Sequence, residues 1–441
     1  MTPSVYRAEM TTIGGPDDRG PNACCRGGTT ARSASDCGPP LDPGGGLAQT
    51  SPVRPLDYDE FQAMRRFPAL DGLRAVAAVM VFAFHFGGPS WAWLTGWIGV
   101  HLFFVLSGFL ITTLLLREEL RYGRVSLRAF YLRRFFRIMP VYLLVLFLTW
   151  ALARLSGTAE AVERSLAYYL LLLNDFLPAD APYLHSWTIG IEQKFYLFWP
   201  AIAFVLVTAV FRRRLAVTLG LLVLLIALIP PDIAWLSWPI HYVAILLGCL
   251  VAVIMHHPRG FALLRPLTHP LTASAVIIAF GAVQVAVRYW PARLGQEALI
   301  GSYAAAAALL LPALLSRSAL ARVLALRPVV FVGERSYSMY LVQFIAAQVA
   351  IGLLPTKGRH GTVIFVGAVV VGLVLADVLH RWVELPMIGV GRRLAARVSR
   401  PAPRGDAPEV GTVDDGPRIP RPREVLADTV PATSGRAPSQ T

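Results

Sequence analysis

Ten apolar runs, each close to the length that crosses a bilayer, dominate this chain: about 72–87, 97–116, 138–155, 187–211, 215–230, 235–254, 270–287, 299–315, 329–353 and 362–382. A hydrocarbon core takes about 20 helical residues, and every backbone polar group inside it must find its partner within the protein. None of the runs alternates with period two, which excludes a membrane β-barrel. The predicted fold class is therefore all-α: a polytopic bundle of about ten transmembrane helices. Composition agrees, because 55% of the 441 residues are hydrophobic and 15% are charged, against about 25% charged in soluble domains.

Charge sets the direction of the spans. The net charge is +14, from 41 Lys and Arg against 27 Asp and Glu. The arginines cluster in short loops between apolar runs, so they read as topology signals and not as a nucleic-acid face. With the N-terminus inside, the loops 117–137, 212–214, 255–267 and 316–327 carry fifteen arginines, while the opposite loops carry five Lys and Arg. That bias predicts a multi-pass protein of the cell membrane with both termini cytoplasmic. Ser165–Phe176 is apolar but too short to span, and is expected to lie at the interface.

Residues 1–66 and 394–441 are rich in Gly, Pro, Ser and Thr and offer little apolar surface to bury, so disordered cytoplasmic tails are expected around a transmembrane domain at 67–393. The first tail lacks the apolar core of a signal peptide. Cys24, Cys25 and Cys37 fall in that tail and Cys249 in an apolar run, a pattern of reduced thiols without a disulfide framework.

An ionisable side chain inside a span is costly, so it is usually paired or functional. The first span, "LDGLRAVAAVMVFAFHF", holds Arg74 and His85 eleven residues apart, about three turns and roughly 16 Å along one helix. Arg74 either pairs with Asp71 at the membrane edge or faces a ligand; His85 is surrounded by apolar residues. In "FFVLSGFLIT", Ser107-Gly108 forms a packing notch or presents a hydroxyl. Arg133, Arg134 and Arg137 precede Pro140, which suits the first turn of the following helix. Three guanidiniums at a cytosolic helix entrance fit a polyanion such as a nucleotide diphosphate. "HSWTIGIEQKFYLFWP" places Glu192 and Lys194 among Trp187, Phe195, Tyr196 and Trp199. Late in the chain, "GERSYSMYL" and "HRWVELP" set Glu334, Arg335, Tyr337, Arg381 and Glu384 near inner helix ends, as a charge network tying those ends together.

Taken in order, "LDGLRAVAAVMVFAFH", "FFVLSGFLIT", "RRFFRIMPVY", "HSWTIGIEQKFYLFWP", "SYSMYL" and "VELP" resemble the acyltransferase-3 family of membrane O-acyltransferases, from about Phe67 to Arg393. The resemblance implies transfer of an acyl group, acetyl above all, from cytosolic acyl-CoA to a hydroxyl of a glycan or small molecule. It requires no permanently bound cofactor and no metal. It implies catalytic roles for His85 and Glu192, acyl-CoA binding by Arg74, Arg133, Arg134 and Arg137, and acceptor binding by Trp187, Tyr196 and Tyr337. One departure stands out: Gln343 occupies the place where the family usually has histidine in Tyr-Leu-x-His. A mechanism with two histidines is then in doubt, which strengthens His85 as the base. Some members of the family carry a fused soluble domain at the C-terminus; the tail here is about 50 residues and expected to be disordered, so the stand-alone form is expected.

Attack of a hydroxyl on a thioester needs a base within hydrogen-bond reach and stabilisation of the oxyanion. His85 is the group in the first span that accepts a proton near neutral pH, with Glu192 expected to orient the imidazole or hold acceptor hydroxyls. Direct attack and an acyl-His85 intermediate both fit. The competing class is a transporter or acyl-group carrier using Arg74, His85 and Glu192 as a relay. It predicts inverted repeats, and none is seen.

Overall fold

The computed structural model describes residues 54–399 apart from 178–180, 208–209, 230–237 and 355–357. Among these residues there is no strand, and each of the ten expected runs contains a helix. A short helix α1 (Tyr58–Ala63) leads into α2 (Pro68–Phe86), α3 (Gly99–Tyr122) and α4 (Leu127–Leu155). Two short helices, α5 (Ala159–Arg164) and α6 (Leu166–Leu170), precede α7 (Trp187–Ala201), α8 (Phe211–Ala227) and α9 (Pro239–Met255). Then come α10 (Pro258–Leu264), α11 (Pro270–Ala286), α12 (Gln296–Leu314), α13 (Ala319–Leu324) and α14 (Arg327–Glu334). The chain finishes with α15 (Ser336–Leu353), α16 (Thr362–Leu379), a π-helical turn at His380–Glu384, and α17 (Leu385–Ser399).

Eight helical segments are long and apolar enough to cross a membrane alone, and a ninth is formed if α9 is joined to Pro258–Thr268 across a 114° bend. The remaining expected run is α8, 17 residues that open on Arg212, Arg213 and Arg214. The chain is thus a multi-pass membrane protein. Ser165–Phe176 folds as the five-residue α6 and a short turn at Asn174–Phe176, not as a span.

The bundle is built around α3, whose most apolar stretch is 78% enclosed by the protein, against 17% for the peripheral α11. Small residues bring α3 onto α9. A Cβ on Gly108 would sit 1.9 Å from the Ile245 carbonyl oxygen, and one on Gly248 would sit 2.0 Å from that of Val105. The two backbones touch at this crossing, which only glycine permits. Gly108 is therefore the notch, and the neighbouring Ser107 is free to turn elsewhere.

Two expectations are corrected here. Pro140 does not open a helix: α4 starts after the cap at Ser126, whose side chain accepts from the Ala129 N–H (3.4 Å), and Pro140 lies inside it. The basic stretch therefore continues as helix into the span. A proline inside a span is tolerated because neighbouring groups take up the freed backbone carbonyl. The second concerns the start of the chain. Residues 54–66, placed in the disordered tail, form a strap across the ends of α3, α9, α10 and α13.

Its α1 has a capping box between Asp57 and Glu60, and Phe61 is fully buried. Arg117 donates to the carbonyls of Met64 (2.6 Å) and Phe61 (3.1 Å), while Arg265 pairs with Asp57 (2.6 Å) and Arg317 with Glu60 (3.2 Å). The strap has too few apolar residues to register as a core element, but its acidic side chains match the basic loops beneath. The rest of the two expected tails, 1–53 and 400–441, lies outside the described residues.

Candidate active site

A cavity of about 850 Å³ opens among α2, α3, α4, α7, α15 and the π-helical turn. Nine arginines line it against four carboxylates, Asp71, Glu192, Glu334 and Glu384. Several of these arginines are committed. Arg74 pairs with Asp71 at 3.7 Å; Arg335 donates to Asp377 (2.6 Å) and rests 3.4 Å from the centre of the Phe331 ring; Arg381 also pairs with Asp377. Arg134, Arg137, Arg65, Arg66 and Arg392 line the cavity and form no ion pair among the described residues. Such an excess of guanidiniums is chemically suited to phosphate or carboxylate groups.

Ion pairing sorts the basic motif on α4. Arg134 and Arg137 are three residues apart and share the face turned to the cavity, which fits helical spacing. Arg133, four residues before Arg137, is separated by its partner and not by its spacing: it pairs with Glu118 of α3 at 2.6 Å and does not line the cavity. The Arg134 guanidinium lies over two rings, Phe130 at 5.7 Å and Tyr196 at 5.6 Å. Stacking of this kind fixes the plane of its donor fork.

Thr188, Glu192 and Tyr196 recur every four residues on α7, so one stripe of that helix faces the cavity. Ser107 Oγ donates to Glu192 Oε1 (2.8 Å), and the Tyr196 hydroxyl donates to Oε2 (3.0 Å) while lying 3.2 Å from the Ser107 oxygen. Tyr337 lines the same cavity, with its hydroxyl bonded to the Ile138 carbonyl (2.9 Å) so that α15 is tied to α4. On the far wall, the π-helical turn aligns His380 Nδ1 with Glu384 Oε2 at 2.9 Å, and Ser338 Oγ donates to the same carboxylate (3.2 Å).

His85 and Trp187 belong to a second cavity of about 440 Å³. Four imidazoles line it: His85, His101, His185 and His241. His101 Nε2 and His241 Nδ1 are 3.2 Å apart, and the Trp187 and His241 rings have centres 4.9 Å apart. His185 Nε2 lies 3.3 Å from the Leu341 carbonyl. The His85 ring nitrogens have no hydrogen bond among the described residues; its ring packs 5.1 Å from Phe344. Val100 and Tyr340 line both cavities. Tyr340 is held at this junction by Thr188, which donates to its hydroxyl (2.9 Å), and by its own bond to the His185 carbonyl.

The site residues expected from sequence thus divide. Arg74, Arg134, Arg137, Glu192, Tyr196 and Tyr337 share the charged cavity, His85 and Trp187 the imidazole-lined one, and Arg133 neither. Glu192 makes no hydrogen bond to His85; its partners are Ser107 and Tyr196. Gln343, at the family's histidine position, lines neither cavity and is fully buried beside the apolar cluster of Phe82, Met339 and Ala347. Sequence inspection missed Tyr340, His241 and His380. The rule that selected His85, an ionisable group within an apolar run, applies equally to His241 in "WPIHYVAILL". Among the described residues no group of three or more His, Cys, Asp or Glu is placed to hold a metal ion.

Comparison with known proteins agrees with this architecture. An acyltransferase domain family matches residues 67–381, well over half the chain. The O-acetyltransferase OatA of Staphylococcus aureus (strain NCTC 8325 / PS 47) is 27% identical over 363 residues, covering 75% of this chain and 59% of the relative. The putative peptidoglycan O-acetyltransferase YrhL of Bacillus subtilis (strain 168) is 29% identical over 374 residues, covering 77% of this chain and 58% of the relative. The chain therefore spans less than three fifths of the length of these curated relatives. No solved structure matches. The family match and the ordered motifs lead to one conclusion: this chain belongs to the acyltransferase-3 family of membrane acyltransferases.

Proposed function

We propose that the protein transfers an acyl group, acetyl in the first instance, from acyl-CoA to a hydroxyl of an acceptor, and that the two cavities hold the two substrates. The observation that carries this is their adjacency: an arginine-rich cavity and an imidazole-lined cavity meet at Val100 and Tyr340. Arg74 and His85, on one helix, each line one of them. Their separation along α2, roughly 16 Å by helical rise, resembles the length of a pantetheine arm. A donor anchored by Arg134 and Arg137 then presents its thioester at the junction.

In that arrangement the acceptor oxygen attacks the thioester carbonyl carbon while a His85 ring nitrogen takes the hydroxyl proton. Collapse of the tetrahedral intermediate breaks the C–S bond, and the thiolate of CoA leaves with the proton returned from His85. The ester and free CoA-SH are the products. Glu192 acts at the donor side, where its bonds to Ser107 and Tyr196 position the ring on which Arg134 stacks. The test is transfer itself: purified protein in lipid nanodiscs with labelled acetyl-CoA and a panel of hydroxyl acceptors should form an ester and release CoA without a second protein. Failure to bind acetyl-CoA at all would sink the donor assignment.

We further propose that both termini are cytoplasmic and that the charged cavity opens to the cytosol, on the arginine bias of the loops. Tyr122, the last residue of α3, and Thr158, just past α4, are both exposed and lie beyond opposite ends of α4. In a background lacking Cys24, Cys25, Cys37 and Cys249, Tyr122→Cys should resist a membrane-impermeant thiol reagent in intact cells and Thr158→Cys should react. Reversed labelling would overturn this orientation.

A further inference from the structure

The imidazole-lined cavity has the wrong chemistry for a sugar. Among the described residues its lining contains no carboxylate, no lysine or arginine, and no serine, threonine or asparagine; beside the four imidazoles its polar groups are Gln296, Tyr340 and the indoles of Trp97 and Trp187. Part of its hydrogen-bonding capacity is already used internally: His101 and His241 on each other, His185 on the Leu341 carbonyl, and Tyr340 between Thr188 and the His185 carbonyl. A sugar carries a hydroxyl on most of its carbons, and each one buried without a partner costs about 1–3 kcal/mol. What the cavity does offer is apolar surface, from Val81, Phe84, Trp97, Leu184, Ile300 and Phe344.

Its rim points the same way. Phe84 of α2 and Phe344 of α15 line the cavity and are 53% and 39% exposed. Both helices qualify as membrane spans. Phe344 has its ring centre 5.1 Å from that of His85 and 4.7 Å from that of His185. An entry between α2 and α15 to the free imidazole of His85 would pass Phe344. The volume, about 440 Å³, is at the small end of ligand pockets, enough for a chain segment or a substituted ring.

We propose that the acceptor is a membrane-partitioned apolar alcohol that enters between α2 and α15 past Phe344 and places its single hydroxyl against His85. This rests on the acyl-transfer assignment above and names the acceptor class for that same site. The apolar body gains burial, and the hydroxyl alone needs a polar partner. The adjoining arginine cavity takes the highly charged substrate, so the Val100–Tyr340 wall divides a polar substrate from an apolar one.

The test uses full-length protein in nanodiscs containing a bromine-terminated long-chain alcohol, because bromine quenches indole fluorescence on contact. A saturable component of quenching is expected, reduced in Trp97→Phe and in Trp187→Phe. Phe344→Arg should weaken that component at least tenfold, while Phe344→Leu should retain it. With labelled acetyl-CoA the alcohol should be esterified, and a water-soluble peptidoglycan disaccharide should be neither esterified nor able to relieve the quenching. Esterification of the disaccharide in place of the alcohol would overturn the proposal, as would absence of saturable quenching. Acetyl-CoA binding measured in the same nanodiscs keeps the two ideas apart: loss of donor binding strikes the acyl-transfer assignment, whereas the quenching reports the acceptor cavity by itself.

Discussion

Replacing both Arg134 and Arg137 by alanine is expected to weaken acetyl-CoA binding by on the order of 10²-fold, with the protein still inserted and folded. A hydrogen bond to a charged group contributes about 1.5–3 kcal/mol, so two lost phosphate contacts reach that size even after partial screening. Neither arginine forms an ion pair among the described residues, so their removal breaks no direct pair. Arg133→Ala supplies the contrast. Arg133 pairs with Glu118 at 2.6 Å outside the cavity, and its loss should leave donor affinity nearly intact. Equilibrium binding of acetyl-CoA at two salt concentrations, alongside circular dichroism, measures this. Unchanged affinity in the double variant would reduce Arg134 and Arg137 to determinants of topology.

Arg134→Lys probes the same point more finely. The guanidinium lies over Phe130 and Tyr196, and Tyr196 also donates to Glu192. Lysine keeps the charge but loses the planar fork and the stacking. Donor affinity should fall to a value between wild type and alanine.

How far the site could be read from the sequence depends on the distance over which each relation acts. The spans follow from composition over about 20 residues, and every expected run contains a helix. The cavity face of α4 does not follow from helical spacing alone: Arg137 is three residues from Arg134 and four from Arg133, so both share its side of the helix, and only the pairing of Arg133 with Glu118 sets it apart. Relations between helices were not legible. Trp187 and Tyr196 lie on the same helix within one motif, yet they line different cavities, because α7 runs past the Val100–Tyr340 junction. The expected partnership of Glu192 with His85 fails for the same reason. The His101–His241 pair joins residues 140 positions apart in sequence; no local pattern links them. The strap at 54–66 was lost because its single buried aromatic, Phe61, stands among acidic residues whose partners, Arg265 and Arg317, lie far along the chain.

His85→Ala should lower the rate of acyl transfer by roughly 10²–10⁴-fold, the usual contribution of positioned acid–base catalysis. Four imidazoles share the cavity, so the assignment needs a reason to prefer one. His101 and His241 bond to each other and His185 bonds to a backbone carbonyl, which ties up a ring nitrogen of each. His85 alone of the four has both ring nitrogens without a hydrogen bond among the described residues, and so is free to meet an acceptor hydroxyl. Donor binding should change little, because the arginine cavity lies about three turns away along α2. The pH dependence has a definite sign: only the neutral ring takes a proton, so the wild-type rate should fall as pH drops and the ring becomes charged. His101, His185 and His241 titrate in the same cavity, and a pH profile by itself does not single out His85. His85→Gln does, since glutamine keeps volume and polarity but cannot act as a base. It should fail as badly as alanine, and the residual activity of both should lose the pH dependence. A substantially active His85→Gln enzyme would leave the ring a packing or acceptor-binding role, and the base would then be sought first at His185 or His101.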